Sequence, residues 1–272
     1  MRRLGLMLFS DLALSRRVEL AEGLANIAYV EARALAIAGS NACWTEIGGT
    51  RCMFDTPDSP VTQTFGLGLF EPVTADIMDS IERFFHDFGA PVWHEVSPLA
   101  DPSALALLNE RGYKPLEFTT MLVQELHPGP LPQRACNVRR AEAGESAAWA
   151  QLAKEGWDPG PELAGFFADF GAVAAVKRNM MPFFAEVDGT LSSTGALNIH
   201  DDTALMAGAS TVPQARGRGA QQSLLAYRLH YAAQQGCSLA QMGALPGSAS
   251  QRNAQRNGFQ IAYTRIKWQL KN

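Results

Sequence analysis

Apolar residues at Ile77, Ile81, Phe84, Phe85 and Phe88 recur at helical spacing and form one face of a helix, which Gly89 ends. A comparable stripe of Leu224, Leu225, Leu229, Ala232 and Ala233 predicts a second helix, ending at Gly236. Two shorter helices are predicted to stop within Asn109-Glu110-Arg111-Gly112-Tyr113 and Gln255-Arg256-Asn257-Gly258-Phe259. Strand-like runs follow both, at 117–126 and 260–270. Between the landmarks of each half lies one more strand candidate, at 92–96 and 238–242. Gly89 and Gly236 are 147 positions apart, and Gly112 and Gly258 are 146 apart. The same elements in the same order at one offset predict a diverged internal repeat.

The rest of the pattern fits that plan. A long helix is predicted over 11–37, followed by strands at 43–47, 51–54 and 62–69. His127-Pro128-Gly129-Pro130-Leu131-Pro132 continues neither helix nor strand, because its three prolines remove donors and fix φ. The chain therefore divides into a first domain (1–127), a linker (128–136) and a second domain (137–272). The helices of each half are expected to meet a core within that half, with the proline segment as an exposed crossing. After the linker come a strand at 137–140, a helix at 146–155, and a hairpin of 183–187 and 190–199 turning at Asp188-Gly189. A strand at 204–212 leads into the most informative loop.

Composition narrows the setting. The chain has 272 residues, 47% hydrophobic and 18% charged, with a net charge of −4, which suits a packed α/β protein and gives no electrostatic case for nucleic acid or an anionic membrane. Arg2-Arg3 before the apolar run 4–9 imitates a signal peptide. The run ends at Ser10-Asp11 after six residues, short of the ~7–15 such a segment needs, and no stretch approaches the ~18 of a membrane span. Cys43, Cys52, Cys136 and Cys237 are scattered, with no C-x-x-C pair, so a reduced cytoplasmic setting is expected. The histidines have no ligand spacing, and no metal is expected.

The loop runs Ser210-Thr211-Val212-Pro213-Gln214-Ala215-Arg216-Gly217-Arg218-Gly219-Ala220 and enters the helix that carries Leu224 and Leu225. The first N–H groups of a helix lack internal partners and sit at the positive end of its dipole. Gly217 and Gly219 let the backbone approach a ligand closely, and Arg216 and Arg218 add charge. Such a turn suits phosphate. No G-K-[ST] is present for a P-loop. The third small residue of a dinucleotide fingerprint is replaced by Gln222, and a hairpin rather than a βαβ unit precedes the strand.

This segment resembles the Q/R-x-x-G-x-G/A pyrophosphate motif of the GNAT acyltransferase superfamily, with Gln214, Gly217 and Gly219 at the three defined positions. Asn257-Gly258-Phe259 is similar to the closing G-F of that family, and the likeness covers 137–272. The resemblance implies two GNAT-like domains of α/β (α+β) class, each a mixed, mostly antiparallel sheet flanked by helices. It implies acetyl-CoA as acyl donor, held by Thr211, Val212, Gln214, Arg216, Gly217, Arg218, Gly219, Ala220 and Gln221. The implied reaction is N-acetylation of a primary amine on a small molecule or peptide; the alternative is a catalytically silent acyl-CoA-binding or regulatory module. A homodimer is left open.

Departures from the family concern catalysis. Ala254 stands where a tyrosine often protonates the leaving thiolate, Gly247 where asparagine is frequent, and the strand 204–212 carries no glutamate. Glu186 on the strand 183–187 and His200 beside Asp201 and Asp202 are the candidate bases. Tyr263 is the candidate replacement phenol, and Trp157, Phe166, Phe167 and Phe170 lie where an acceptor pocket would be shaped. The first half has Gly66-Leu67-Gly68-Leu69-Phe70-Glu71-Pro72-Val73 in place of the loop, without arginine and with a glutamate hostile to pyrophosphate. It is expected to be a degenerate copy that packs against or covers the active half, so that one acetyl-CoA binds per chain.

Overall fold

A computed structural model describes residues 9–270; the apolar run that imitates a signal peptide lies, except for Phe9, outside them. The first half comprises α1 (Leu12–Ala36), β1 (Cys43–Ile47), β2 (Thr50–Phe54), β3 (Gln63–Phe65), α2 (Ala75–Asp87), β4 (Val92–Val96), α3 (Pro102–Glu110) and β5 (Lys114–Glu125). The second comprises β6 (Asn137–Arg140), α4 (Ser146–Trp157), α5 (Ala164–Val176), β7 (Met180–Val187), β8 (Thr190–His200), β9 (Thr203–Thr211), α6 (Ala220–Gln234), β10 (Leu239–Ala244), α7 (Ala249–Arg256) and β11 (Gln260–Leu270). The repeat is present element for element: α2, β4, α3 and β5 recur as α6, β10, α7 and β11. Local signals set the ends, with Asp11, Thr74, Asp101 and Ser248 accepting hydrogen bonds from the first turns of α1, α2, α3 and α7.

Three sequence expectations change. The run 62–69 forms a strand only over Gln63–Phe65, since Gly66 and Gly68 take left-handed φ and turn the chain. More consequentially, the halves do not build separate sheets. One eleven-stranded sheet runs in the order β1-β2-β3-β4-β11-β5-β10-β9-β8-β7-β6. Each half gives its last strand to the other: β11 pairs antiparallel with β4, β5 pairs antiparallel with β10, and β5 and β11 pair with each other in the middle. Helices α2, α3, α6 and α7 cover one face and α1, α4 and α5 the other.

The cores follow the sheet rather than the halves. Ile27, Tyr29, Met53 and Phe65 pack in one cluster with Trp149, Phe167, Phe170 and Phe184, so the expectation of a private core for each half is corrected. An ionic cluster secures the exchanged strand. Arg265 on β11 is 3% exposed and meets Glu19 and Glu22 of α1 and Glu95 of β4 at 2.8–3.1 Å, while Lys267 meets Glu95 at 3.2 Å. Burial raises the Glu19 carboxyl to about 7 against the opposing pull of Arg265. Removing one partner from such a cluster would strand buried charge. The segment 127–133 is exposed, as its prolines predict.

Candidate active site

Strands β9 and β10 run parallel but pair only from Leu239↔Thr203 to Gln241↔Leu205. Beyond that point β9 stays with β8 as far as Thr211, while Met242 and Ala244 of β10 stay with β5. The sheet therefore opens into a V whose sides begin at Met206 and Met242. On the α6/α7 face this opening is a cleft of about 560 Å³ lined by Ala209, Ser210, Thr211, the start of α6 and Asn253 of α7. On the α1 face it leads to a second cleft of about 420 Å³, walled by Lys177, Asn198 and Ala207 from the second half and Glu22, Tyr29 and Glu117 from the first. Met206 borders both clefts. An aromatic side pocket of about 150 Å³ adjoins the second, between Tyr29, Trp149, Trp157 and Phe170.

The loop predicted to bind an anion forms the mouth of the first cleft. A short 3-10 turn over Pro213–Ala215 leads to Gly217 and to Gly219, the N-cap of α6, both in the left-handed region at φ 76° and 83°. Among the described residues no side chain caps α6, which leaves its leading N–H groups at the positive end of a fifteen-residue helix. Thr211, Val212, Gln214, Arg216, Gly217, Arg218, Gly219, Ala220 and Gln221 all fall in this one segment.

The side chains around it are already engaged. Trp157 Nε1 donates to Ala209 O at 2.9 Å, Arg216 Nε to Thr211 O at 3.2 Å and Arg216 Nη2 to Gly156 O at 3.1 Å. Gln221 Nε2 donates to Ser210 O and to Thr211 Oγ1, and Arg218 pairs with Asp188. Side chains thus satisfy the carbonyls of Ala209, Ser210 and Thr211 at the end of β9, beyond its pairing with β10.

The candidate catalytic groups do not gather at the opening. Glu186 accepts from Asn137 Nδ2 at 3.0 Å and borders a surface hollow with Asp188 and Arg218. His200 lies at the closed end of the V, opposite Thr203; burial, with Lys177 adding to it, holds its pKa below the ordinary range. Tyr263 donates to Glu19 Oε1 at 2.9 Å in the ionic cluster, and Ala254 is fully buried beside Phe259. Trp157 and Phe170 do border the side pocket, while Phe167 packs in the core.

Sequence reading did not single out Asn198, whose buried Oδ1 has no hydrogen-bond partner among the described residues, Lys177, which burial pulls down to about 8, or the buried Arg228. Arg228 had a visible signal: it occupies a stripe position between Leu224 and Ala232, where the periodicity calls for an apolar residue. Asn198 and Lys177 had none, because their place depends on how α1 and α5 lie across the sheet.

No protein-family model and no curated protein matches the chain. Solved structures do. A GCN5-related N-acetyltransferase from Kribbella flavida superposes with TM-score 0.64 at 17% identity, over 89% of this chain and 94% of that one. A GCN5-related N-acetyltransferase from Sphaerobacter thermophilus matches with TM-score 0.56 at 16% identity, over 81% and 76%. A tandem GNAT protein from the clavulanic acid biosynthesis pathway matches with TM-score 0.58 at 14% identity, over 82% and 78%. These superpositions, one of them on a tandem GNAT protein, show that the fold of this chain is the tandem GNAT fold.

Proposed function

We propose that the chain transfers an acetyl group from acetyl-CoA to an amine, with the donor in the cleft between β9 and β10 of the second half. The observation that carries this reading is the V-shaped opening itself, which joins an uncapped helix start on one face to a separate cleft on the other. The helix start suits a pyrophosphate, and the glycines at 217 and 219 leave it room. The free edge of β9 suits the amides of a pantetheine arm, which take over Ala209 O and Thr211 O once Trp157 and Arg216 release them. The acyl carbon then reaches Met206, and the acceptor nitrogen meets it from the α1 face, beside Asn198 and Lys177. Attack needs an unprotonated amine, and the Asn198 carbonyl, which has no partner among the described residues, can orient its N–H groups.

A second reading, a silent acyl-CoA-binding module, draws on Ala254 and on the side chains that fill the β9 edge. Calorimetry with acetyl-CoA and thiol release across a panel of small-molecule and peptide amines separate the two. Binding with turnover supports the enzyme, and binding without turnover on any amine supports the module. Absence of binding removes both.

A further inference from the structure

Arg228 is a buried charged group to which the proposed binding of the donor assigns no role. It lies on α6, is 2% exposed and borders the donor cleft. Its Nη1 donates to Ala196 O at 2.7 Å and Ala207 O at 3.0 Å, and its Nε to Leu224 O at 3.3 Å, while Nη2 donates to no described protein group. The two strand carbonyls belong to the pair Ala196↔Ala207, which borders the irregularity after Thr194↔Ser210. Gly195 forms a cradle for the guanidinium, since a Cβ there would fall 2.8 Å from Arg228 Cζ. Among the described residues no carboxylate offsets the charge. Burial alone lowers the pKa, to about 10, so the group stays cationic at neutral pH.

A buried cation without a counter-ion is costly, and the repeat indicates that the fold does not demand it. One offset of 147 earlier, the same position of α2 is Ile81, fully buried in the core of the first half. The half with filled space has isoleucine, and the half with an open cleft has arginine.

Building on the reading of this cleft as the acetyl-CoA site, we propose that Arg228 stabilises the negative charge that forms on sulfur when the thioester breaks. The amine nitrogen attacks the acyl carbon and the C–N bond forms. The C–S bond then breaks, its electron pair passing to sulfur, and the nitrogen proton leaves to water. The thiolate rests against Arg228 until it takes a proton from solvent. No phenol is needed, which fits Ala254 and the commitment of Tyr263 to Glu19. A fixed donor aimed at a developing anion typically contributes about 10²–10³-fold in rate.

The decisive measurement is the titration of the CoA thiol bound to the whole protein, followed by thiolate ultraviolet absorbance. The wild type should acidify the bound thiol about 10- to 100-fold relative to free CoA. Arg228→Met and Arg228→Ile should abolish that acidification and lower kcat about 10²–10³-fold, while S-methyl-CoA, which carries no thiol, keeps its affinity. Arg228→Lys should restore part of both effects. A wild-type bound thiol that titrates as in free CoA overturns the proposal whatever the variants do, as does an Arg228→Ile protein with unchanged kcat. Failure of the wild type to bind S-methyl-CoA overturns the donor-site reading and this proposal with it, whereas tight binding with an unperturbed thiol overturns this proposal alone.

Discussion

The two halves finish their splayed strand pairs in opposite ways. In the first, β3 and β4 pair only at Thr64↔His94 and Phe65↔Glu95 before they diverge, just as β9 and β10 do. There Leu67, Leu69 and Val73 turn inward and are buried, Arg16 Nε closes the turn on Leu69 O at 2.6 Å, and Phe70 lies against Arg16 and Arg51. In the second half the equivalent turn leaves Gln214, Arg216, Gly217 and Arg218 exposed, and the space beneath stays open. Glu71 and Arg218 occupy matching positions with opposite charge, and apolar Ile81 matches cationic Arg228. Filling the gap yields a stable core, because apolar contact and dispersion accumulate there. Leaving it open gives up that gain and creates a place for a ligand.

The largest effect is expected from Gly217→Leu. A Cβ at Gly217 meets no atom of the described residues within 4 Å, so the fold should bear the change at roughly 1–2 kcal/mol of left-handed strain. The new side chain would stand where the phosphates approach. Calorimetry should register a loss of acetyl-CoA affinity of about 100-fold or more; unchanged affinity would remove the functional difference between the two turns.

His94 tests the filled half through pH. It is fully buried, bonded to Thr64 Oγ1 at 2.7 Å, and burial lowers its pKa from 6.5 to about 3. The unfolded chain therefore takes up the proton first, so this contribution to stability is present above pH 6.5 and is lost as pH falls towards 3. The matching position of the second half is Gln241, so His94→Gln is a graft between copies. It should cost about 1 kcal/mol at pH 7 and flatten the loss of stability between pH 6.5 and 4. Urea midpoints across that range measure both, and an unchanged slope would show that His94 is not the group responsible.

A smaller effect is expected at Trp157. Binding must displace its bond to Ala209 O, so Trp157→Phe, which keeps the ring contacts with Phe167 and Phe170, should tighten acetyl-CoA binding about fivefold, or ~1 kcal/mol. Weaker binding would mean that the indole assists the donor rather than competing with it.

The smallest is Glu71→Arg, expected to change nothing that calorimetry reads: one acetyl-CoA per chain, before and after. Leu67 and Leu69 already occupy the space that a second donor would need. A stoichiometry of two would show that charge, not filling, separates the halves.

What the sequence determined on its own is local or repeated. Helix faces appeared as stripes, their ends as glycines, the linker as prolines, and the glycine turn as a strand running through Gly217 and Gly219 into a helix. Each depends on residues close along the chain, and the offset of 147 showed that the set occurs twice. Tertiary structure decided what depends on distant partners. Nothing local in 114–125 or 260–270 tells whether a strand returns to its own half or crosses to the other, because both sheet edges offer the same backbone donors and acceptors. The crossing also decided that Tyr263 and Arg265 belong to Glu19 and Glu22 rather than to the site. Helix α5 was missed because Phe166, Phe167, Phe170 and Val173 leave too little polar contrast for a stripe to stand out. The wall of the second cleft, with Tyr29 and Glu22 lining it beside Lys177 and Asn198, exists only because α1 of one half lies over the sheet of the other, and such packing is set by the sum of many weak contacts that no short stretch of sequence contains.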